Sequence, residues 1–210
     1  GYRYTREPLK SYFQADRHDS TDKTFSSFYG NKVIKGHPGD FAVNELDELI
    51  NMIFEKIHNE LEAIEFAIIS KNHHLPWGGF FVIAEEQAQQ FANCYFDGLD
   101  VSTLKRGGQL SPKILIVAPE KRLSWQYHHR RAEIWRVIQG QVGVKRSATD
   151  TEGELELLNV GDTITLQQGE RHRLIGLSDY AVIAEIWQHT DASHPSDEDD
   201  IVRVQDDFGR

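Results

Sequence analysis

The sequence predicts a mainly β protein, an antiparallel barrel or sandwich with a helical extension on its N-terminal side. Residues 44–66 carry apolar side chains at spacings of three and four, which indicates one amphipathic helix. After residue 76 the chain changes to short apolar runs separated by glycines and polar turns, which is typical of antiparallel barrels and sandwiches. We therefore predict an N-terminal arm and amphipathic helix over residues 1–75, and a β-barrel with an acidic C-terminal tail over residues 76–210.

Turn-forming residues mark where the other predicted elements begin and end. Residues 1–40 are polar with several glycines and prolines, so we expect irregular structure there. His73 and His74 stand just before a turn at residues 76–79 and are expected to form a loop pair rather than a second metal site. The acidic tail at residues 191–207 has seven acids and one arginine. The predicted strands are 80–84, 113–118, 134–138, 141–145, 155–158, 163–166, 172–175 and 181–187.

Composition and charge exclude several classes of function. The 210 residues carry a net charge of −10, which argues against nucleic acid as the main partner because phosphate backbones need a basic surface. No apolar run approaches the roughly 20 residues of a membrane-spanning helix, so no membrane partner is expected. Cys94 is the only cysteine, which excludes an internal disulfide. We expect Cys94 to be buried and the protein to be cytoplasmic.

One segment is basic although the chain as a whole is acidic. Between residues 121 and 146, seven basic residues stand against one acid, Glu133. A local excess of positive charge in an acidic protein either binds a small anion or forms a solvated strand face. The basic residues are Lys121, Arg122, Arg130, Arg131, Arg136, Lys145 and Arg146.

Side chains that can bind a metal occur in two segments of the predicted barrel. Side chains alternate between the faces of a strand, so Gln126 and His128 point the same way. Glu133 joins them only if residues 129–132 form a turn or bulge. In the second segment a turn precedes His172, which opens the returning strand. Imidazole, carboxylate and amide ligands of this kind suit Zn²⁺ and also Fe²⁺, Mn²⁺, Co²⁺ or Ni²⁺.

These two segments resemble the two motifs of the cupin superfamily. The matching positions are Gln126, His128, Glu133 and Gly140 in the first motif, and Gly161, Gly169 and His172 in the second. Gln126 stands where the first histidine is usual, and Gln167 where a proline is usual. The resemblance implies a cupin barrel, a double-stranded β-helix or jelly roll. It also implies one divalent metal, with Zn²⁺ ranked first, on Gln126, His128, Glu133 and His172.

A longer resemblance indicates one family within the cupins. Residues 123–135, the turn at 76–78 and the tail at 198–210 are similar to the cupin domain of type II phosphomannose isomerases. The resemblance extends over about residues 76–210. It implies a metal-dependent enzyme that interconverts mannose 6-phosphate and fructose 6-phosphate.

Carried over residue by residue, the resemblance also implies roles for basic side chains. Arg131 matches a family arginine tied to activity and is expected to stabilise negative charge that develops on the sugar. Lys113 matches a family lysine and is expected to act either as the catalytic base or as a phosphate ligand. Further candidates for binding the substrate phosphate are Lys121, Arg203 and Arg210.

Departures from the family pattern keep other functions open. Arg130 replaces a histidine that is common in the family, and residues 118–120 read Ala-Pro-Glu where Lys-Pro-Gly is usual. The alternative to an isomerase is therefore a non-catalytic cupin that binds a sugar or a sugar phosphate, and an Fe²⁺ cupin dioxygenase is a third possibility. Cupins of this size often pair through their sheets, so we expect a homodimer.

Overall fold

The computed structural model describes residues 48–210 in full and, before them, the backbone of residues 14–15, 25–29, 32–36 and 43–47. The helices in this part of the chain are α1 (Val43–Ala63) and α2 (Ala88–Tyr95), with short 3₁₀ turns at Glu85–Gln87 and Val101–Thr103. The strands are β1 (Gln14–Ala15), β2 (Phe25–Tyr29), β3 (Lys32–Gly36), β4 (Ile68–Leu75), β5 (Gly78–Ile83), β6 (Lys113–Val117), β7 (Trp125–Tyr127), β8 (Arg131–Gln139), β9 (Val142–Ser147), β10 (Glu156–Leu158), β11 (Thr163–Leu166), β12 (Arg171–Gly176), β13 (Ala181–His189) and β14 (Val202–Gln205).

Two antiparallel sheets build the barrel. The larger has six strands in the order β11-β8-β13-β6-β5-β4, and the smaller has five in the order β10-β9-β12-β7-β14. Apolar side chains from both sheets form one buried cluster, so the sheets pack face to face. This arrangement confirms the predicted mainly β cupin barrel. The buried residues of the cluster are Trp77, Leu115, Val117, Trp135, Val137, Val142, Val144, Leu166, Leu174, Ala181 and Ile183.

The central strands of the six-stranded sheet are buried on both faces. Residues of β6, β8 and β13 alternate between the cluster inside the barrel and a second cluster outside it, as the period of two requires. Burial on both faces explains why these strands are almost continuously apolar. The outward-facing members are Ile114, Ile116, Ile134, Ile138, Val182, Ala184 and Ile186.

Helix α1 covers this outer face of the sheet. Ile53, Ile57 and Leu61 belong to the outer cluster, and each has at most 3% of its surface exposed. They recur at spacings of four, so they form the apolar stripe that the sequence predicts. The predicted helix is confirmed and runs from Val43 to Ala63.

The N-terminal part of the chain differs from the sequence prediction. Irregular structure was expected over residues 1–40, but the described parts of this stretch form a three-stranded antiparallel sheet of β1, β2 and β3. The predicted boundary between residues 75 and 76 falls inside the β4–β5 hairpin. The six-stranded sheet therefore starts at Ile68, eight residues earlier than expected. His73 and His74 lie in β4 and not in a loop.

Two further elements were absent from the prediction. Helix α2 lies between β5 and β6 and buries Phe91 and Tyr95 in the outer cluster. Cys94 is on the exposed side of α2, so the expectation that it is buried was wrong. The acidic tail contains β14, which pairs with β7 and forms one edge strand of the five-stranded sheet.

All three motif glycines, Gly140, Gly161 and Gly169, stand where the backbone has positive φ. Gly140 has φ of 74° in the turn between β8 and β9, and a Cβ there would lie 2.7 Å from the Tyr180 carbonyl oxygen. Gly169 has φ of 73° in the turn that precedes His172. Residues with a Cβ rarely adopt this conformation, so Gly140 and Gly169 are required by the turns on which the motifs depend. Within the described residues, no helix combines the length and apolar composition needed to cross a bilayer.

Candidate metal centre

The first motif places its side chains by interrupting a strand. Strand β7 ends at Tyr127, and β8 begins at Arg131. The predicted turn therefore occupies residues 128–130, rather than 129–132, because Arg131 and Ala132 already pair with β13. Arg131 and Glu133 are two apart in β8, so they share the face that looks into the barrel.

Hydrogen bonds hold the second motif against the first. The Gly169 N–H donates to the carbonyl oxygen of His128 at 2.9 Å, and the Gln168 amide donates to the carbonyl of His129 at 2.6 Å. His172 then enters β12, directly opposite Gln126 in β7. The turn thus sets both the separation of the two motifs and the face on which His172 lies.

His128, Glu133 and His172 meet at the centre of this arrangement. Their ligand atoms all lie within 4.8 Å of one another, and each residue is at most 3% exposed. One oxygen of Glu133 is 2.9 Å from His128 Nε2, and the other is 3.7 Å from His172 Nε2. Among the described residues this is the group of histidine, cysteine and acidic side chains that can hold a metal ion.

The outer nitrogen of each imidazole is fixed by a backbone carbonyl. His128 Nδ1 is 2.7 Å from the carbonyl oxygen of Asp200, and His172 Nδ1 is 2.9 Å from that of Glu170. A carbonyl can only accept, so Nδ1 carries the proton in both rings. Each Nε2 therefore presents its lone pair to the centre, which is the usual arrangement of metal-binding histidines.

Unsatisfied polar atoms test whether a metal fits. His128 Nε2, His172 Nε2 and one oxygen of Glu133 are buried without a hydrogen-bond partner in the described structure. Buried polar atoms are almost always satisfied, and three unpartnered lone-pair donors side by side are unfavourable unless a cation joins them. The donor set therefore fits a divalent metal ion.

The electrostatics keep Glu133 and His172 in their metal-binding forms. Burial alone would raise the pKa of Glu133, but His128, Arg131 and His172 outweigh it and hold that pKa well below its usual range. Burial lowers the pKa of His172 to about 4. At neutral pH the carboxyl is ionised and the His172 imidazole is neutral, as metal binding requires.

Gln126 stays a predicted fourth ligand. Its position opposite His172 puts both side chains on the same face of the sheet. Its amide oxygen accepts a hydrogen bond of 2.6 Å from the Ser124 hydroxyl. This bond leaves the second lone pair of the oxygen for another partner.

Arg131 lies beside the metal centre. Its Nη2 is 3.0 Å from Glu133 Oε1, and its Nη1 donates to the Ser196 hydroxyl at 3.0 Å and to the Asp197 carbonyl at 2.8 Å. Its guanidinium lies 3.9 Å from the centroid of the Trp187 ring. The structure thus brings the predicted catalytic arginine into contact with a metal ligand.

Lys113 lies on the same side of the barrel. It pairs with Glu185 in the β6–β13 register, and its Nζ is 2.6 Å from a carboxylate oxygen of Glu198. The Nζ also lies 4.8 Å from the centroid of the Trp187 ring. Lys113 and Arg131 therefore share one aromatic neighbour.

Of the three predicted phosphate ligands, Arg203 lies near the metal centre and Lys121 lies far from it. Arg203 is exposed and directly opposite Gln126, so it borders the metal centre. Arg210 is held by Asp206, with 2.9 Å between its Nε and a carboxylate oxygen. Lys121 bonds through its carbonyl to Gly176, the far end of β12 from His172, which is about 13 Å along the strand.

Sequence reasoning missed two acidic residues beside the centre. Glu185 is buried, accepts a hydrogen bond of 2.9 Å from Trp135 Nε1, and has its pKa raised to about 8 by burial and by the charge of Glu133. The signal was a glutamate within the apolar strand β13. Asp200 is also buried, and its carboxylate accepts from the backbone N–H groups of His129 and Arg130. Its position in an acidic run disguised it.

A family model identifies the family of this chain. The model described as "Mannose-6-phosphate isomerase C-terminal" matches residues 83–206, which is more than half of the chain. The chain belongs to this family. The matched range contains the three residues of the metal triad and Arg131.

Two curated proteins are similar to the chain in sequence. The xanthan biosynthesis protein XanB of Xanthomonas campestris pv. campestris is 32% identical over 178 residues, which is 85% of this chain and 30% of XanB. The mannose-1-phosphate guanylyltransferase ManC of Salmonella typhimurium is 30% identical over 115 residues, 55% of this chain and 21% of ManC. The chain thus spans less than a third of these relatives.

Two solved structures align with somewhat less than two thirds of the chain. The structure of KdgF from Halomonas sp. aligns with 62% of this chain and 89% of its own, at 16% identity and a TM-score of 0.41. A recombinant oxalate oxidase in complex with glycolate aligns with 63% of this chain and 58% of its own, at 16% identity and a TM-score of 0.43.

Proposed function

We propose that this protein is a metal-dependent sugar-phosphate isomerase that interconverts mannose 6-phosphate and fructose 6-phosphate. The observation that carries the proposal is the buried triad of His128, Glu133 and His172 with Arg131 in contact with it, in a chain of the mannose-6-phosphate isomerase C-terminal family. Zn²⁺ is the proposed metal, with Gln126 as the fourth ligand, because two imidazoles, a carboxylate and an amide oxygen suit it.

The reaction moves a proton between C1 and C2 of the open-chain sugar and passes through a negatively charged enediolate. His128, Glu133 and His172 would hold the metal, which when bound would supply a Lewis acid for the sugar oxygens. Arg131 is the residue that stabilises the developing charge. Its guanidinium is already fixed by Glu133, Ser196 and Asp197, so it needs little reorganisation when the charge appears.

Turnover and metal content test the proposal together. We expect the purified protein to convert mannose 6-phosphate in a coupled assay, to lose activity on chelation and to regain it with one metal. Arg131→Met should lower kcat by about 100-fold or more, because one charge-stabilising donor contributes about that much. Its metal content, measured by mass spectrometry, should stay at that of the wild type.

Arg122→Met is the matched control for this loss. Arg122 is half-exposed and bonds to Asp207, with 2.6 Å between Nε and the carboxylate, and it touches none of the triad. Activity in this control should stay within about twofold of wild type. An Arg131 variant as active as the Arg122 variant would contradict the role of Arg131 in catalysis.

A cupin that binds sugar phosphate without converting it is the second candidate. The observation that favours it is the engagement of both predicted catalytic cations with carboxylates, Arg131 with Glu133 and Lys113 with Glu198. The same assay separates the two functions. Absence of turnover in metal-loaded protein, with thermal stabilisation by mannose 6-phosphate, would select the binding protein. The homodimer and the cytoplasmic location stay predictions.

A further inference from the structure

A nearly buried lysine is neutralised by an exposed carboxylate at the edge of the metal centre. The side chain of Lys113 is 11% exposed, and its Nζ is 2.6 Å from Glu198 Oε1. The same oxygen lies 3.5 Å from the Ser111 hydroxyl. Glu198 belongs to the loop between β13 and β14, and its side chain is 68% exposed. One carboxylate oxygen therefore takes donors from two residues at the start of β6.

The position continues the cationic side of the metal centre. Arg131 and Lys113 both lie over the ring of Trp187, at 3.9 Å and 4.8 Å from its centroid. Arg131 also contacts Glu133 of the triad. A ligand with its sugar at the triad and an anionic group at the Glu198 position would be next to both cations.

The ring that both cations contact also carries an unpartnered donor. Trp187 is 2% exposed, and its Nε1 is buried without a hydrogen-bond partner in the described residues. An indole N–H can only donate, so only an acceptor can satisfy it. Leaving such a group unpaired is unfavourable, and an acceptor oxygen of an incoming ligand would relieve it.

The two members of the ion pair differ in how easily each is released. Glu198 is mostly hydrated, so detaching it loses little, as for other exposed partners. Lys113 is nearly buried, and a buried ammonium without a counter-ion is strongly unfavourable. Release of Glu198 is therefore favoured when another anion takes its place beside Lys113. A phosphate monoester carries about −1.5 to −2 charges at pH 7 and three acceptor oxygens, so it is a stronger partner than one carboxylate.

We propose that Lys113, Ser111 and the indole N–H of Trp187 form a phosphate-binding subsite, and that the carboxylate of Glu198 occupies it in the free protein and competes with the ligand. The sugar phosphate as occupant rests on the proposed function. Of the two roles predicted for Lys113, this proposal selects phosphate binding over catalysis as a base. Glu198 limits the affinity for phosphate until it is displaced.

Binding measurements on the metal-loaded full chain test the subsite. The probes are inorganic phosphate, mannose 6-phosphate and neutral mannose, with affinity measured by calorimetry. Glu198→Gln should tighten binding of both phosphates about two- to fivefold, because it removes a competing exposed ion pair. Lys113→Met should weaken both about tenfold or more, with metal content unchanged. Mannose should bind alike in all variants.

Asp97→Asn is the matched control. Asp97 is an 83% exposed carboxylate that neutralises Arg136, whose side chain is 10% exposed, at 2.6 Å. The pair has the same design as Lys113 and Glu198, but Arg136 faces away from the barrel interior, because it neighbours Trp135 in β8. Asp97→Asn removes the same charge and should leave phosphate affinity unchanged.

Distinct results separate this proposal from the isomerase. Phosphate affinity in Glu198→Gln equal to that of Asp97→Asn, or phosphate binding retained by Lys113→Met, would overturn the subsite. Binding that Lys113→Met retains would indicate phosphate on the metal alone. If Glu198→Gln tightens phosphate binding but no variant turns over mannose 6-phosphate, the subsite stands and the isomerase proposal fails. If the protein turns over mannose 6-phosphate but Glu198→Gln leaves the KM unchanged, the isomerase proposal stands and the subsite fails.

Discussion

Asp200 shows how one residue organises the first metal motif. Its backbone carbonyl accepts from His128 Nδ1, and its two carboxylate oxygens accept from the N–H groups of His129 and Arg130 at 2.9 and 3.0 Å. The Ser196 hydroxyl donates to the same carboxylate at 2.6 Å. These bonds lower the pKa of Asp200 against the effect of its burial. The residue thus fixes both the loop after β7 and the orientation of a ligand.

Replacing Asp200 should therefore weaken metal binding. Asp200→Asn keeps the backbone carbonyl but turns one acceptor oxygen into a donor that faces an N–H group. We expect the metal dissociation constant to rise about tenfold or more, as for other groups that orient metal ligands. Competition with a chromogenic chelator measures it without reference to activity. The neighbouring exposed Asp199→Asn is the control, and equal affinities in the two variants would refute the role of Asp200.

Among elements, helix α1 and the outer face of the six-stranded sheet depend on each other. The helix has one apolar stripe, and the sheet has an outer face of aliphatic side chains that the barrel interior cannot bury. Each therefore removes the other's apolar surface from water, and burial of this kind is the main stabilising contribution in folding. The helical extension is thus part of the barrel's core and not an independent arm.

Truncating a buried side chain of helix α1 should destabilise the whole domain. Ile57 is 1% exposed within the outer cluster, so Ile57→Ala should lower the free energy of unfolding by about 2–5 kcal/mol. Ile69 is 63% exposed, so Ile69→Ala makes the same chemical change at the surface and should cost no more than about 0.5 kcal/mol. Urea unfolding of both variants measures the difference. Similar losses would show that the helix does not share the barrel's core.

In the whole molecule, the barrel interior combines an apolar core at one end with buried charges at the other. Glu133, Glu185, Arg131 and Lys113 lie on the inner face of the six-stranded sheet, all of them buried. Two carboxyls in one low-dielectric site cannot both ionise freely. Glu133 keeps its charge through its basic neighbours, and Glu185 holds its proton.

This division makes the stability of the metal-free protein depend on pH. Glu185 has a pKa of about 8 in the folded protein against an ordinary 4.5, so the folded state holds a proton that the unfolded chain releases. Glu185 by itself makes stability fall as pH rises from about 4.5 to 8, with a slope of up to about 1.4 kcal/mol per pH unit. The net fall is expected from about pH 6.5 to 8, because His172 offsets it at lower pH. His172, with its pKa lowered to about 4, contributes an opposite slope only below about 6.5.

Removing the carboxyl should remove this dependence. Glu185→Gln should flatten the fall in unfolding free energy between about pH 6.5 and 8, measured by urea denaturation of the chelated protein. Glu86→Gln, at an exposed glutamate, should keep the wild-type slope. A Glu185→Gln variant with the same slope as the Glu86 variant would show that Glu185 is already ionised in the folded state.

Local pattern was sufficient to predict helix α1 and the apolar central strands of the barrel, but not helix α2 or strands β4 and β14. The period of α1 and the apolar runs of β6, β8 and β13 are properties of short segments and follow from backbone geometry. The predicted ligand set came instead from the resemblance of two segments to the cupin motifs. Short or polar strands were harder to predict. Strand β4 has few apolar residues, and β14 is a four-residue segment within an acidic run, so their pairing with β5 and β7 is what identifies them as strands.

The partners of each functional side chain depend on residues far apart in the chain, and only the tertiary structure decided them. Asp200 meets His128, and Glu198 meets Lys113, across separations of 72 and 85 residues. The pairing of β14 with β7 brings the acidic tail onto the metal centre, and no local periodicity encodes that contact. The sequence by itself predicted the mainly β barrel and named the candidate site residues, whose roles stay predictions. Which residues orient, neutralise or compete with them followed from the closure of the barrel, because burial and pKa depend on neighbours in space.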